Sequence, residues 1–200
     1  ITRTLPIGGT FSSQQRLIYE IVFRAQLGAI AAIKPGVTYR DVHMGAARSM
    51  AADLIAAGLM RGSADEAVAA GAHALFFPHG LGHMLGLDVH DMENIGEQYV
   101  GYGAGFERST QFGTAYLRLA RTLEPGFVLT VEPGLYFIPA LIDRWRADGT
   151  HAAFLNFTEI DKFRDARGYR IEDDVVFTAS GSRVLGPGIP KSVESVEAAC

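Results

Sequence analysis

Cysteine is almost absent from this sequence: of its 200 residues, only the last, Cys200, is one. An internal disulfide and a thiolate metal site are therefore excluded, and the lack of disulfides fits a reducing, cytoplasmic compartment. No apolar run reaches the roughly 20 residues that a membrane span requires. Positive charge is not in excess either. The 18 basic and 22 acidic residues give a formal net charge of −4, which offers no reason to expect nucleic acid or an anionic membrane as a partner.

The length and composition predict one domain. Two hundred residues, 48% of them hydrophobic, suffice for one substantial core. The sequence has no signal-peptide pattern and opens on Ile1 in an alternating, strand-like segment, so we expect a mature or cut product. Residues 182–200 are rich in Gly, Pro and Ser and are predicted to form a loosely ordered tail.

Apolar residues at helical spacing predict three helices, each preceded by a capping serine or threonine. They cover about residues 13–34, 38–58 and 63–74, with caps at Ser12 or Ser13, Thr38 and Ser63. Glu66 lies three residues after Ser63, which predicts a capping box. Strands are predicted at 1–8, at 126–132 continuing through 134–137, and at 169–178; an extended surface loop is predicted at 93–114, and a helical or irregular excursion at 140–168. Because strands and helices do not alternate regularly, the predicted class is α+β.

One segment, residues 77–91, places three histidines and two aspartates among apolar residues and glycines. A solvated loop would mix such groups with Lys, Ser and Asn, and a core would have to give each imidazole a hydrogen-bond partner. The composition instead indicates a ligand site, with a metal ion as the first candidate. His79 and His83 are four residues apart, but Gly80 and Gly82 argue against the helix of a His-Glu-x-x-His zinc site.

Two glutamates lie in apolar strand sequences. Glu132 ends a strand that Pro133-Gly134 interrupts, and by alternation it shares a face with Thr130. Glu172 follows Arg170 in the other segment. An ionised carboxylate in such surroundings costs several kcal/mol unless it is paired or bound to a cation. The alternatives are that these strand ends face water, or that Glu172 pairs with Arg170.

Together, His83, Glu132 and Glu172 offer one imidazole and two carboxylates without sulfur. That donor set suits Mn²⁺, Co²⁺, Zn²⁺ or Fe²⁺, and two carboxylates can bridge a pair of ions about 3.5–4 Å apart. The other histidines have no such companions and are interpreted as structural or surface residues; they are His43, His73 and His151.

Four ordered blocks resemble the pita-bread metallopeptidases, specifically the Xaa-Pro peptidases (prolidase and aminopeptidase P). The blocks are residues 1–4, 79–91, 123–134 and 170–173. The resemblance implies a pita-bread domain over residues 1–200, in which helices cover a curved antiparallel sheet. It also implies a proline-containing peptide as substrate and a homodimer as the assembly.

The same resemblance implies a dinuclear site, most often manganese, with His83, Glu132 and Glu172 as ligands. Glu132 would also be the general base, and His90 would stabilise the tetrahedral intermediate or hold the substrate. The proline pocket would be lined by His79, Tyr136 and Arg170. Arg118 matches the position that binds the free carboxylate of a dipeptide in prolidases, with Arg121 as a competitor.

Family sites use five protein ligands, and the two aspartates among them precede the Ile1-Thr2-Arg3-Thr4 block. One is expected directly before Ile1 and the other one strand earlier. We therefore expect a carboxyl-terminal catalytic portion, truncated at its amino-terminal side, that alone has little or no activity. The alternatives are a non-catalytic pita-bread module that binds peptides or proteins, and a metal-independent hydrolase on the same fold, such as a creatinase-like enzyme.

Overall fold

The computed structural model describes residues 1–200 and combines helices with antiparallel strands, which confirms the predicted α+β class. The helices are α1 (Ser13–Ala32), α2 (Tyr39–Ala56), α3 (Ala64–Ala70), α4 (Glu93–Glu97), α5 (Pro139–Asp148), α6 (Phe157–Asp161) and α7 (Val193–Glu197). The strands are β1 (Val128–Val131), β2 (Gly134–Tyr136), β3 (Gly168–Arg170), β4 (Asp173–Thr178) and β5 (Gly181–Val184). None of the helices is long and apolar enough to cross a lipid bilayer.

The two long helices begin where the sequence predicts. The Ser12 hydroxyl accepts from the Gln15 amide, and the Gln15 side chain accepts from the Ser12 amide, so α1 opens with a capping box. Thr38 caps α2 by accepting from the Asp41 amide. The apolar faces of both helices enter the main core, and α1 packs on β1, β2 and β3. Burial of these faces, more than helix propensity, stabilises the pair.

The predicted capping box at Ser63 is wrong. Ser63 is the N-cap of α3, but its side chain makes no capping hydrogen bond. The helix ends at Ala70, followed by Gly71 with φ +92° and a 3₁₀ turn over Ala72–Leu75. A left-handed residue there ends an α-helix readily when it is glycine, which explains why α3 stops before Ala74.

Both predicted long strands are interrupted, and the interruptions face each other. β1 pairs with β4 up to Val131 and Asp173, and β2 pairs with β3 from Gly134 and Arg170. Residues 132–133 and 171–172 lie between the two ladders and belong to neither strand pair. The antiparallel register therefore brings Glu132 and Glu172 to the same gap, although 39 residues separate them in the chain.

Two further segments lie along this sheet. Residues 81–85 follow the free edge of β1: the Thr130 amide donates to the His83 carbonyl, and the Leu85 amide donates to the Val128 carbonyl. On the other side, the Thr2 and Glu172 backbones bond to each other. This pairing is a single bridge, so residues 1–8 do not form the predicted strand; Arg3 and Thr4 contact residues 170–173 through their side chains instead.

Two surface segments contain short regular elements. Residues 182–200, for which the sequence predicts a loosely ordered tail, include most of β5 and all of α7, and Val193 and Val196 of α7 are buried in the main core. The burial of these two valines holds the tail in place. The loop predicted at 93–114 contains α4 and a π-helical turn over Gln98–Tyr102. The excursion at 140–168 contains the helices α5 and α6, joined by turns.

Candidate metal site and cleft

Three side chains from separate segments converge at the gap between the sheets. His83, Glu132 and Glu172 each offer one ligand atom, and these atoms lie within 4.8 Å of one another. His83 lies on the segment beside β1, and the glutamates occupy the two strand interruptions. The structure therefore brings together the three residues that the sequence singled out as a ligand set.

The position of His83 depends on a close backbone approach at Gly82. A Cβ atom added to Gly82 would lie 2.0 Å from the Thr130 carbonyl oxygen, so only glycine fits there. The His83 amide then donates to the Thr130 hydroxyl at 3.1 Å. That hydroxyl in turn donates to Glu132 Oε1 at 3.1 Å. Thr130 therefore fixes the histidine and the glutamate relative to each other.

The imidazole of His83 is oriented as a metal ligand would be. Its Nδ1 lies 2.8 Å from the Met84 carbonyl oxygen, which can only accept, so Nδ1 carries the proton. Nε2 then points toward Glu132 Oε1, 3.3 Å away. In the neutral ring this would set a lone pair against a carboxylate oxygen, and a cation bound between them removes the repulsion. Metal-bound histidines commonly donate their other N–H to a backbone carbonyl, so these residues fit a divalent metal ion.

The electrostatics of the pair agree with this interpretation. Burial lowers the pKa of His83, but the protonated ring would also donate Nε2–H to Glu132, and this bond, the Met84 carbonyl and the charges of Glu132 and Glu93 outweigh burial and raise the pKa above 6.5. The position of Nε2 therefore attracts positive charge. For Glu132, burial raises the pKa, but His83 and Arg170 outweigh it and leave the carboxyl pKa below its ordinary value. Glu132 is therefore ionised at neutral pH, with its side chain only 12% exposed.

Glu172 is fixed from the other side of the gap. Its carboxylate accepts a hydrogen bond from the Thr2 hydroxyl, and the nitrogen of Ile1 lies 3.7 Å from Oε1. The two glutamates do not face water, since each side chain is only 12% exposed. Glu172 does not pair with Arg170 either, because Arg170 pairs with Glu132 at 3.5 Å.

A cleft of about 740 Å³ opens beside these residues. Its lining includes His83 and Glu132 together with four residues predicted to contact substrate: His79, His90, Arg118 and Arg170. The fifth, Tyr136, reaches it through His79, since the Tyr136 hydroxyl donates to His79 Nε2 at 3.0 Å. The ring of His90 contacts that of His83 edge-on at 4.4 Å between centroids. Arg121 is not in the lining and pairs with Glu124 at 2.8 Å.

The remaining histidines lie elsewhere. His43 and His73 are buried, and burial lowers their pKa values to about 3 and about 4. Neither ring nitrogen of either residue has a hydrogen-bond partner, and His43 stacks on Phe77. His151 contacts Trp145 edge-on.

Sequence reasoning missed the side chains that hold the site in place. Strand alternation places Thr130 on the same face as Glu132, and this pattern could have predicted the contact between them. No sequence signal indicated that Thr2 would bond Glu172, or that Glu93 would line the cleft in an ion pair with Arg118.

Comparison with known proteins places this site in a family context. Residues 1–179 match metallopeptidase family M24. The chain is 45% identical over 198 residues to the Xaa-Pro dipeptidase of Homo sapiens, covering 99% of the chain and 38% of that relative. It is 41% identical over 197 residues to the probable Xaa-Pro aminopeptidase of Verticillium alfalfae, covering 98% of the chain and 41% of that relative.

Solved structures give the same result. Aminopeptidase PepP of Pseudomonas aeruginosa superposes with a TM-score of 0.73 at 37% identity, covering 99% of the chain and 37% of that structure. Zinc-substituted Escherichia coli aminopeptidase P in complex with product gives 0.72 at 37% identity, with the same coverage. These similarities confirm the pita-bread fold. The chain spans about two fifths of the length of these relatives.

Proposed function

The chain belongs to metallopeptidase family M24, and from that premise we propose that the full-length protein is a metal-dependent peptidase that cleaves the bond preceding proline. The observation that carries the proposal is the convergence of His83, Glu132 and Glu172 beside a cleft that His79, His90 and Arg170 also line. Relatives named Xaa-Pro dipeptidase and probable Xaa-Pro aminopeptidase support this reaction class.

We propose two divalent ions, most often manganese, with cobalt, zinc or iron as alternatives, held by His83, Glu132 and Glu172. Two aspartates that precede Ile1 in the full-length protein would complete the ligand set. The position of Ile1 supports this, because its nitrogen lies 3.7 Å from the Glu172 carboxylate. A residue bonded to that nitrogen would therefore lie at the edge of the cluster.

When bound, such ions polarise the scissile carbonyl and lower the pKa of a coordinated water. The task of Glu132 is general-base catalysis: its carboxylate is ionised at neutral pH and can take a proton from the attacking water. The same carboxyl group then delivers that proton to the departing proline nitrogen. Thr130 holds Glu132 in place for both transfers through its hydrogen bond at 3.1 Å.

The remaining cleft residues bind and orient the peptide. His90 stabilises the tetrahedral intermediate or holds the substrate, since its ring lies against that of His83. His79, Tyr136 and Arg170 line the proline pocket. The hydrogen bond from Tyr136 to His79 fixes the imidazole with Nδ1 protonated toward the Gly80 carbonyl. Burial lowers the pKa of His79, which favours its neutral form.

The test is hydrolysis of Xaa-Pro peptides by the full-length protein with and without Mn²⁺. We expect cleavage before proline that is lost on chelation and lost in Glu172→Gln. The matched control is Asp174→Asn, because the side chain of Asp174 has no polar partner. Residues 1–200 alone should hydrolyse little. Peptide binding by the full-length protein without cleavage, in the presence of Mn²⁺, would favour the non-catalytic binding module.

We also propose that the full-length protein is a homodimer in solution. Light scattering after size-exclusion chromatography measures its mass directly. A monomeric mass at all concentrations tested would contradict this proposal.

A further inference from the structure

Every arginine that lines the cleft is already paired with a carboxylate. Arg108 pairs with Glu97 at 2.9 Å, Arg170 with Glu132 at 3.5 Å, and Arg118 with Glu93. Arg118 is the residue expected to bind the free carboxylate of a dipeptide. The cleft therefore offers no unpaired guanidinium to the carboxylate of an Xaa-Pro dipeptide.

The Arg118–Glu93 pair is held by the backbone around it. A Cβ atom on Gly101 would lie 1.7 Å from the Arg118 carbonyl oxygen, so the two segments touch at the backbone. The Ala120 and Arg121 amides both donate to the Gly101 carbonyl, at 2.7 and 3.0 Å. In addition, the buried Tyr102 hydroxyl donates to the Leu117 carbonyl at 2.7 Å. The segment that carries Glu93 is thus fixed against the segment that carries Arg118.

Burial makes this pair harder to separate than a surface ion pair. The Glu93 side chain is 17% exposed, whereas that of Arg118 is 43% exposed. Moving Arg118 away would leave a mostly desolvated carboxylate without its counter-charge, which is unfavourable. An incoming carboxylate would also meet the negative charge of Glu93 at close range.

On the premise of the proposed function, we propose that Glu93 determines substrate length by occupying Arg118, so that the protein favours peptides extended beyond proline over Xaa-Pro dipeptides. In a dipeptide, proline carries a carboxylate that must compete with Glu93 for Arg118. In an extended peptide, a neutral amide follows proline, and the Arg118–Glu93 pair stays intact. Glu93 is therefore a specificity-determining residue for Xaa-Pro cleavage.

The kinetic test compares three substrates of the full-length protein with Mn²⁺: the Ala-Pro dipeptide, its carboxyl-terminal amide and the tripeptide Ala-Pro-Ala. The wild type should cleave the amide and the tripeptide with higher kcat/KM than the dipeptide. Glu93→Gln should raise kcat/KM for the dipeptide about tenfold relative to the tripeptide, since about 1.4 kcal/mol corresponds to tenfold.

Two further variants make the result specific. In Glu93→Gln/Arg118→Gln the gain on the dipeptide should disappear, because the released guanidinium is its cause. Glu124→Gln breaks the pair with Arg121, which lies outside the cleft lining, and should leave the dipeptide-to-tripeptide ratio within twofold of the wild type. A ratio raised equally by Glu124→Gln would overturn the assignment to Glu93.

A binding measurement separates this inference from the proposed function. Calorimetric titration of the chelator-treated full-length protein with the dipeptide and with its amide requires no hydrolysis. We expect the dipeptide to bind Glu93→Gln about tenfold more tightly than the wild type, and the amide to bind both alike. Equal dipeptide affinities would refute the role of Glu93 whether or not the protein is a peptidase. A failure of hydrolysis with this affinity difference intact would refute only the proposed function.

Discussion

Asp173 is the centre of a buried polar cluster next to Glu172, and removing its charge should destabilise the fold. Its carboxylate accepts from Arg3 and from Lys191, each at 2.6 Å, and from the buried Gln26 at 2.9 Å. The Asp173 side chain is 6% exposed, against 10% for Arg3 and 22% for Lys191. These contacts connect β4 with residue 3, α1 and the carboxyl-terminal segment.

The expected loss for Asp173→Asn is about 3–4 kcal/mol. Two hydrogen bonds from charged donors contribute about 1.5–3 kcal/mol each. Partial exposure of Lys191 lowers the sum through solvent screening, and the asparagine oxygen still accepts one bond. Breaking a buried ion pair from one side costs about 3–5 kcal/mol, in the same range. For a domain of this size, such a loss lowers Tm by about 6–16 °C.

Urea denaturation of the wild type and the variant measures the loss, with Asp174→Asn as the control. Asp174 is half-buried and its side chain has no polar partner, so its substitution should change stability by less than about 0.5 kcal/mol. A loss below about 1 kcal/mol for Asp173→Asn would refute the reasoning, because it would mean that the buried cluster contributes no more than an exposed pair.

The pH dependence of the stability difference between wild type and Asp173→Asn provides a second test. Burial raises the pKa of Asp173, but the hydrogen bonds from Lys191, Arg3 and Gln26 outweigh it and hold the pKa below 3.8. A depressed pKa contributes stability above the unfolded value, and this contribution is lost as pH falls through the folded value. The difference between wild type and Asp173→Asn should therefore be constant near neutrality and shrink below about pH 3.8.

Three other predictions follow from individual contacts. Gly82→Ala should cost about 1–3 kcal/mol in urea denaturation because of the 2.0 Å clash, whereas Gly45→Ala, with open space in α2, should stabilise by about 0.5–1 kcal/mol; equal effects would contradict the clash. Ser12→Ala should cost about 1 kcal/mol, and Ser63→Ala less than about 0.5, since only Ser12 caps its helix through its side chain. In calorimetric titrations of the full-length protein, Mn²⁺ affinity should fall as pH is lowered through the raised pKa of His83, because protons and metal compete for Nε2; a pH-independent affinity would argue against His83 as a ligand.

The sequence predicted the elements whose signals are local. α1 and α2 have strong helical periodicity and capping residues at Ser12 and Thr38, and both start as predicted. The capping box at Ser63 failed because the pattern shows only that such a bond is possible. α7 was missed because it is short, and only the burial of Val193 and Val196 in the core stabilises it.

The candidate site was predicted less from the residues than from the family resemblance. From the strand patterns alone, either glutamate could have faced water, and Glu172 could have paired with Arg170. The antiparallel register that aligns Val131 with Asp173 depends on the whole intervening excursion, which local periodicity does not encode. The pairing of Glu93 with Arg118 likewise depends on the path of residues 93–114. The sequence predicts only an extended surface loop there and does not indicate its path.

The most direct test of the metal site is an anomalous-difference map from crystals of the full-length protein grown with Mn²⁺. We predict manganese peaks at the gap between the two sheets, in contact with His83 Nε2 and with the carboxylates of Glu132 and Glu172. Peaks confined to other side chains, or no peak beside these three under conditions in which the protein is active, would contradict the assignment of the metal site.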